Sequence, residues 1–385
     1  MQMGRYGMEI QGMANEVDDP KIDWKKMKIG ILTFHRAHNY GAVLQCYAMQ
    51  EILRRMGHDV QVIDYRQPWI EDFYKVFSIN MLRRNSGSLR DVFAYLKKNA
   101  KKFLLAPCKG RNYRRFRDGF FSLTPPCRKD IPQDFDCYLI GSDQLWSLHC
   151  LGGEYDPVYM GGFPHKVESR VVGYAISADM GSVESLASVI ERMAGNFSCL
   201  SMREAGIASR VGSIAGRKCD VCLDPTLLTD SSLWEKVVDD KWKDRNYVLV
   251  YEVRREKKNK GLLRRKAQEI AAQIGDGCKV IDLSSGNYPV SDFVSLFRYA
   301  RYVITTSFHG TVFSILFQTP FYVLPLWNGY DLRYMELLKN LGAEDRIVSA
   351  DDILMPSQVD FAPVMKKLEE RRADSFAFIE KALKP

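Results

Sequence analysis

Three observations in the 385-residue sequence predict an α/β protein of two Rossmann-like domains facing a cleft. Short apolar runs alternate with helix-period segments along most of the chain, the pattern of βαβ units and a parallel sheet. The alternation falls into two series, one opening at Lys28 and the other at Tyr247, with a charged, poorly patterned stretch over 235–246 between them. At this length two cores are the natural expectation.

The first series begins with Lys28-Ile-Gly-Ile-Leu-Thr-Phe34, an apolar run fit for a buried parallel strand. A polar loop over 35–40 follows. Residues 41–56 then read as a helix, with Val43, Leu44, Tyr47, Ile52 and Leu53 on its apolar side and Gly57 ending it. A strand over 60–64 completes the βαβ unit, whose crossover is expected to be right-handed. Further strands are predicted over 136–140, 170–176, 199–202 and 220–223, with helices over 183–197 and from Arg203-Glu204 onward. In the second series the strands are 247–253, 279–283, 302–306 and 320–324, and the helices 257–274, 292–300 and 309–317. The predicted organisation is a loose leader over 1–26, an N-terminal domain over 27–240 carrying a basic helical insertion at about 81–121, and a C-terminal domain over 241–356. A last helix within 357–385 is expected to pack back on the N-terminal domain.

Composition narrows the classes of function. With 46% hydrophobic and 26% charged residues the chain can bury ordinary cores and has no disordered bias. Nine cysteines are scattered, and Cys46, Cys137 and Cys199 sit inside apolar runs, which suits reduced thiols in a cytoplasmic protein. Cys219-Asp220-Val221-Cys222 has the spacing of half a metal site, but no second pair completes it, so no metal is expected. No run reaches the roughly 18 apolar residues of a spanning helix, and residues 1–26 lack a signal peptide's apolar stretch. The net charge of +8 is concentrated between Met81 and Asp118, where twelve Lys or Arg face two Asp and leave the rest of the chain near −2. Either a solvated helix pair or peripheral contact with anionic lipid at the inner membrane face is expected of that segment. No motif supports nucleic acid.

Open α/β sheets bind ligands at the carboxyl ends of their strands, where helix N-termini present free N–H groups. Four segments occupy such positions. Thr305-Thr306-Ser307-Phe308-His309-Gly310 ends a strand and opens a helix, with Thr306 or Ser307 as cap and Gly310 allowing close approach of a ligand. His309 at the positive helix end is a candidate for proton transfer. Ser201-Met202-Arg203-Glu204 offers the planar fork of Arg203 to phosphate or carboxylate. Gly141-Ser142-Asp143-Gln144 places a hydroxyl and a carboxylate at a strand exit, with Asp143 a general base, a sugar-orienting group or a cap. Asn39, Tyr40 and Gly41 at the first helix start are placed to hold an anion or a sugar; His35 and His38 are further candidates. Asp224-Pro225-Thr226 reads as a rigid turn between the two halves. The first loop has no G-x-G-x-x-G pattern, and no P-loop or G-x-S-x-G motif is present.

Together these segments resemble the polysaccharide pyruvyl transferase family. The resemblance is carried by Asn39-Tyr-Gly-Ala-Val-Leu-Gln45, Gly141-Ser-Asp-Gln-Leu-Trp146, Gly173-Tyr-Ala-Ile-Ser177, Ser201-Met-Arg-Glu204, Leu223-Asp-Pro-Thr-Leu-Leu228 and Thr306-Ser-Phe-His-Gly-Thr-Val312. It implies a fold similar to GT-B glycosyltransferases, no cofactor, and phosphoenolpyruvate as a donor substrate whose pyruvyl group forms a ketal on a sugar. The acceptor implied is a cell-surface polysaccharide, in a capsule or exopolysaccharide, or its lipid-linked precursor. His309 matches the family's histidine and Arg203 an arginine that resembles a donor-binding residue. Relatives often carry arginine two positions before that histidine, where this chain has Ser307. A Lys or Arg from elsewhere must then compensate, or the donor differs. The competing expectations are a GT-B-type glycosyltransferase with a nucleotide-sugar donor and a non-catalytic glycan-binding relative.

Overall fold

The computed structural model describes residues 26–75, 108, 110–253, 261–325 and 331–384. The leader over 1–25 and most of the basic segment, 81–107 and 109, lie outside the described residues, so the membrane-contact expectation does too.

Two parallel sheets organise the chain, as the alternating pattern predicts. The first has six strands: β1 (Lys28–Leu32), β2 (Asp59–Val62), β3 (Cys137–Asp143), β4 (Arg170–Ile176), β5 (Cys199–Met202) and β6 (Asp220–Val221). Their spatial order is β2-β1-β3-β4-β5-β6. The second holds β7 (Tyr247–Tyr251), β8 (Lys279–Asp282), β9 (Tyr302–Thr305) and β10 (Phe321–Val323) in the order β10-β9-β7-β8. Every named strand pairing is parallel, and the central strands are buried along their length because helices cover both faces.

The helix Tyr40–Arg55 follows β1 and is buried over most of its length. Asn39 caps it by accepting the Ala42 N–H at 3.2 Å. The buried ring of Trp234 lies 6.0 Å from Tyr47 of that helix and 4.9 Å from Phe313 on the second half. Nearby, Tyr40 stacks on Phe293 at 4.6 Å and donates its hydroxyl to the Tyr288 carbonyl at 2.7 Å. The two halves therefore share an aromatic seam beside the cleft.

The helix Phe361–Leu383 follows the second half in sequence but bonds to the first. Arg372 donates to the Leu227 carbonyl at 2.6 Å, Ser375 accepts the Leu223 N–H at 3.0 Å, and Arg170 donates to the Ala382 carbonyl at 2.9 Å. The helices Pro68–Tyr74 and Leu332–Leu341, which have no sequence expectation, both border the cleft. Of the basic segment, 110–120 is helical, with Tyr113 and Phe116 buried and Arg111, Arg114 and Arg115 exposed. No helix among the described residues is long and apolar enough to cross a membrane.

Candidate active site

Between the carboxyl ends of the two sheets lies a cleft of about 600 Å³. Its floor is built by the turn after β9. Thr305 anchors that turn, donating its hydroxyl to the Tyr251 carbonyl at 2.7 Å and accepting the Ser307 N–H at 3.1 Å. Ser307 then caps the helix Phe308–Leu316 by accepting the Gly310 N–H at 3.3 Å. His309, in the first turn, faces the cleft and is 9% exposed.

One of its nitrogens faces a buried carboxylate: Nε2 lies 3.5 Å from Asp224 Oδ2. Asp224 is fully enclosed, and its Oδ1 accepts the Thr226 N–H and hydroxyl at 2.9 and 2.5 Å. The same Oδ2 lies 2.8 Å from Nη2 of Arg203. Burial disfavours the charge on Asp224, but Arg203 and then His309 outweigh it and hold the carboxyl well below the usual carboxylate range. Asp224 is thus an ionised group wedged between a fixed cation and the imidazole. The sequence marks it only as a turn residue; the signal was available in its position at the exit of β6, level with the histidine turn across the cleft.

Nε2 makes no hydrogen bond among the described residues, and Nδ1 lies against Gly41. A Cβ at position 41 would come 2.0 Å from Nδ1, so only glycine leaves room for the ring. Asp143 ends β3 with a positive φ of 86°, lines the cleft and accepts the Gln144 N–H at 2.8 Å. Asn39 and Ser307 line the cleft as well. An aromatic wall closes one side, formed by Phe34 and by Trp69, Phe73 and Tyr74 of the helix Pro68–Tyr74.

Several sequence expectations are corrected. Gly310 does not line the cleft; its Cα packs on Thr305, where a Cβ would come 2.3 Å from Oγ1, so its role is close packing. Ser142 is fully buried, donates to the Ala175 carbonyl at 2.9 Å and accepts from Arg203, which makes it a support for that arginine. Tyr40 points into the seam between the halves, with its hydroxyl used by Tyr288. Arg203 is itself absent from the cleft lining; it sits behind Phe308, 5.0 Å over that ring, in a small chamber. His35 is a satisfied core histidine, with Nε2 3.0 Å from Asp64 and Nδ1 3.1 Å from the Thr33 carbonyl. His38 stacks on Tyr113 at 5.2 Å.

Arg333, which no motif singles out, lines the cleft opposite these groups. No three His, Cys, Asp or Glu side chains among the described residues are grouped to hold a metal ion. Burial pushes the thiols of Cys219 and Cys222 up to about 12, as for inert cysteines.

Similar solved structures include a putative UDP-N-acetylglucosamine 2-epimerase from Listeria monocytogenes, at 9% identity over 93% of this chain and 91% of that one, with a TM-score of 0.42. Another is the glycosyltransferase SsfS6 from Streptomyces sp. SF2575, at 11% identity over 91% and 96% of the two chains, with a TM-score of 0.36. No curated protein matches the sequence. The sequence model of polysaccharide pyruvyl transferases matches residues 39–328, a span that runs from the cap of the first helix past the histidine turn. The chain belongs to the polysaccharide pyruvyl transferase family.

Proposed function

We propose that the protein transfers the pyruvyl group of phosphoenolpyruvate to two hydroxyls of a sugar in a cell-surface polysaccharide or its lipid-linked precursor, forming a ketal. The observation that carries this reading is the buried arrangement Arg203–Asp224–His309, which reaches the cleft through the His309 ring. The carboxylate facing Nε2 orients the ring, and an imidazole so held can pass a proton to a bound substrate. His309 donates that proton to the methylene carbon of the enol, and positive charge develops at the adjacent carbon. One sugar hydroxyl adds there and returns its proton to His309. The second hydroxyl then displaces phosphate: a C–O bond forms, the bond to the phosphate oxygen breaks with its electron pair, and the hydroxyl proton leaves with phosphate.

Asp143, across the cleft, is placed to orient the acceptor hydroxyls. The aromatic wall of Trp69, Phe73 and Tyr74 supports a sugar acceptor, since flat rings pack against the apolar faces of pyranoses.

The test is phosphate release from phosphoenolpyruvate, measured with and without acceptor glycan. Release that requires the acceptor and is lost in His309→Ala is the expected result. Stabilisation by UDP or GDP compounds, with no response to phosphoenolpyruvate, would instead point to a nucleotide-sugar donor.

A further inference from the structure

Arg333 is the single Lys or Arg among the described residues that line the cleft. It stands in the first turn of the helix Leu332–Leu341 and is half-buried. No carboxylate among the described residues lies within ion-pair distance of it. Desolvation lowers its pKa, Glu204 opposes this and Arg203 reinforces it, so the two guanidinium groups stand close enough to feel one another.

Behind Arg333 the cleft continues into a chamber of about 40 Å³, which Arg333 and Phe308 border on both sides. Arg203 lines that chamber, is nine-tenths buried, and has Nε and Nη1 without hydrogen-bond partners. Buried donors left unused are costly, and a space of this size takes a few waters or one tetrahedral anion. Four acids also line it: Asp224 pairs with Arg203, Glu336 accepts the Ala205 N–H at 2.8 Å, Glu204 accepts the Ser177 hydroxyl at 2.7 Å with one oxygen and leaves the other without a hydrogen bond, and Asp374 stands on the helix Phe361–Leu383. Burial raises the Glu204 pKa, so that carboxyl opposes an anion less than an ordinary one would.

We propose that Arg333 receives the phosphate of the donor at the mouth of this chamber, with the unused edge of Arg203 lying beyond it. The assignment rests on the pyruvyl transfer reading and deepens it by naming the residue that meets the donor's dianion. As the bond to the phosphate oxygen breaks, Arg333 faces the charge that collects there. It supplies from a different helix the cation that Ser307 does not.

Calorimetric titration of phosphoenolpyruvate and of inorganic phosphate into the wild type, Arg333→Ala and Arg333→Lys tests this. The expected result is weaker binding of both ligands in Arg333→Ala, by about 10- to 100-fold. Arg333→Lys should recover part of it, and the melting temperatures without ligand should be similar. Arg333→Gln replaces the alanine variant should that one fail to fold. A merely structural arginine would lower the melting temperature and leave ligand affinity unchanged. Wild-type affinity in Arg333→Ala or Arg333→Gln, or a wild type that binds neither ligand, overturns the assignment. A wild type that binds phosphate through Arg333 but never releases it from phosphoenolpyruvate with acceptor supports the anion site and rejects the pyruvyl reading.

Discussion

The imidazole of His309 rests on the Cα of Gly41, so closely that a Cβ there would lie 2.0 Å from Nδ1 and 2.3 Å from Cε1. The two residues come from opposite sheets, one from the helix after β1 and the other from the helix after β9. The position of the His309 ring is therefore set by contact between the two halves as much as by its own turn. Gly41→Ala should displace the ring and reduce kcat/KM by about 100-fold, the scale expected for misplacement on the order of 1 Å. A melting temperature near that of wild type, measured alongside, would separate this from unfolding.

Asp224 faces Arg203 and His309 with one oxygen. Asp224→Asn leaves Arg203 buried without its counter-charge, which should cost about 3–5 kcal/mol of stability by denaturant titration. The double variant Arg203→Met with Asp224→Asn should be less destabilised than the sum of the singles, because the uncompensated charge is gone. Strict additivity would show that the pair is not coupled.

The Glu204 carboxyl gives a pH signature of opposite sense to Asp224. Burial raises its folded pKa above the unfolded value, so its ionisation disfavours the fold at pH values above both. Glu204→Gln should melt higher than wild type at pH 8. The difference should shrink as the pH falls and vanish below the ordinary carboxylate range, where both states are protonated. Thermal melts across that range check the direction. Asp224, held low, keeps its stabilising contribution until strongly acidic pH.

Phe73 is 42% exposed on the aromatic wall. Phe73→Ala should raise the KM for the acceptor about threefold to tenfold, a stacking contribution of roughly 0.5–1.5 kcal/mol. The KM for phosphoenolpyruvate should not change. Equal effects on both substrates would remove the wall from the acceptor side.

The sequence is legible where a local pattern and the final environment agree. The strands β1, β4, β5 and β9 are short apolar runs buried on both faces, and their positions follow from periodicity alone. The histidine turn is legible for a similar reason: Ser307, His309 and Gly310 announce a strand end and a helix cap within six residues. The helix Pro68–Tyr74 is not, because seven residues give little period and its aromatic face turns to a cleft rather than a core. Asp224 and Arg333 escape notice because their meaning comes from partners distant in sequence. Arg203 is 21 residues before Asp224 and His309 is 85 after it, and only the closing of two sheets unites them. Arg203 lies deeper than its place at a strand end suggests, because a fork there is as useful to a buried aspartate as to a ligand.

The helix Phe361–Leu383 returns the chain to the sheet where it began, bonding near Arg170, Leu223 and Leu227. The polypeptide therefore crosses between its halves twice, so the second half is strapped to the first at both of its ends rather than hung from a single tether.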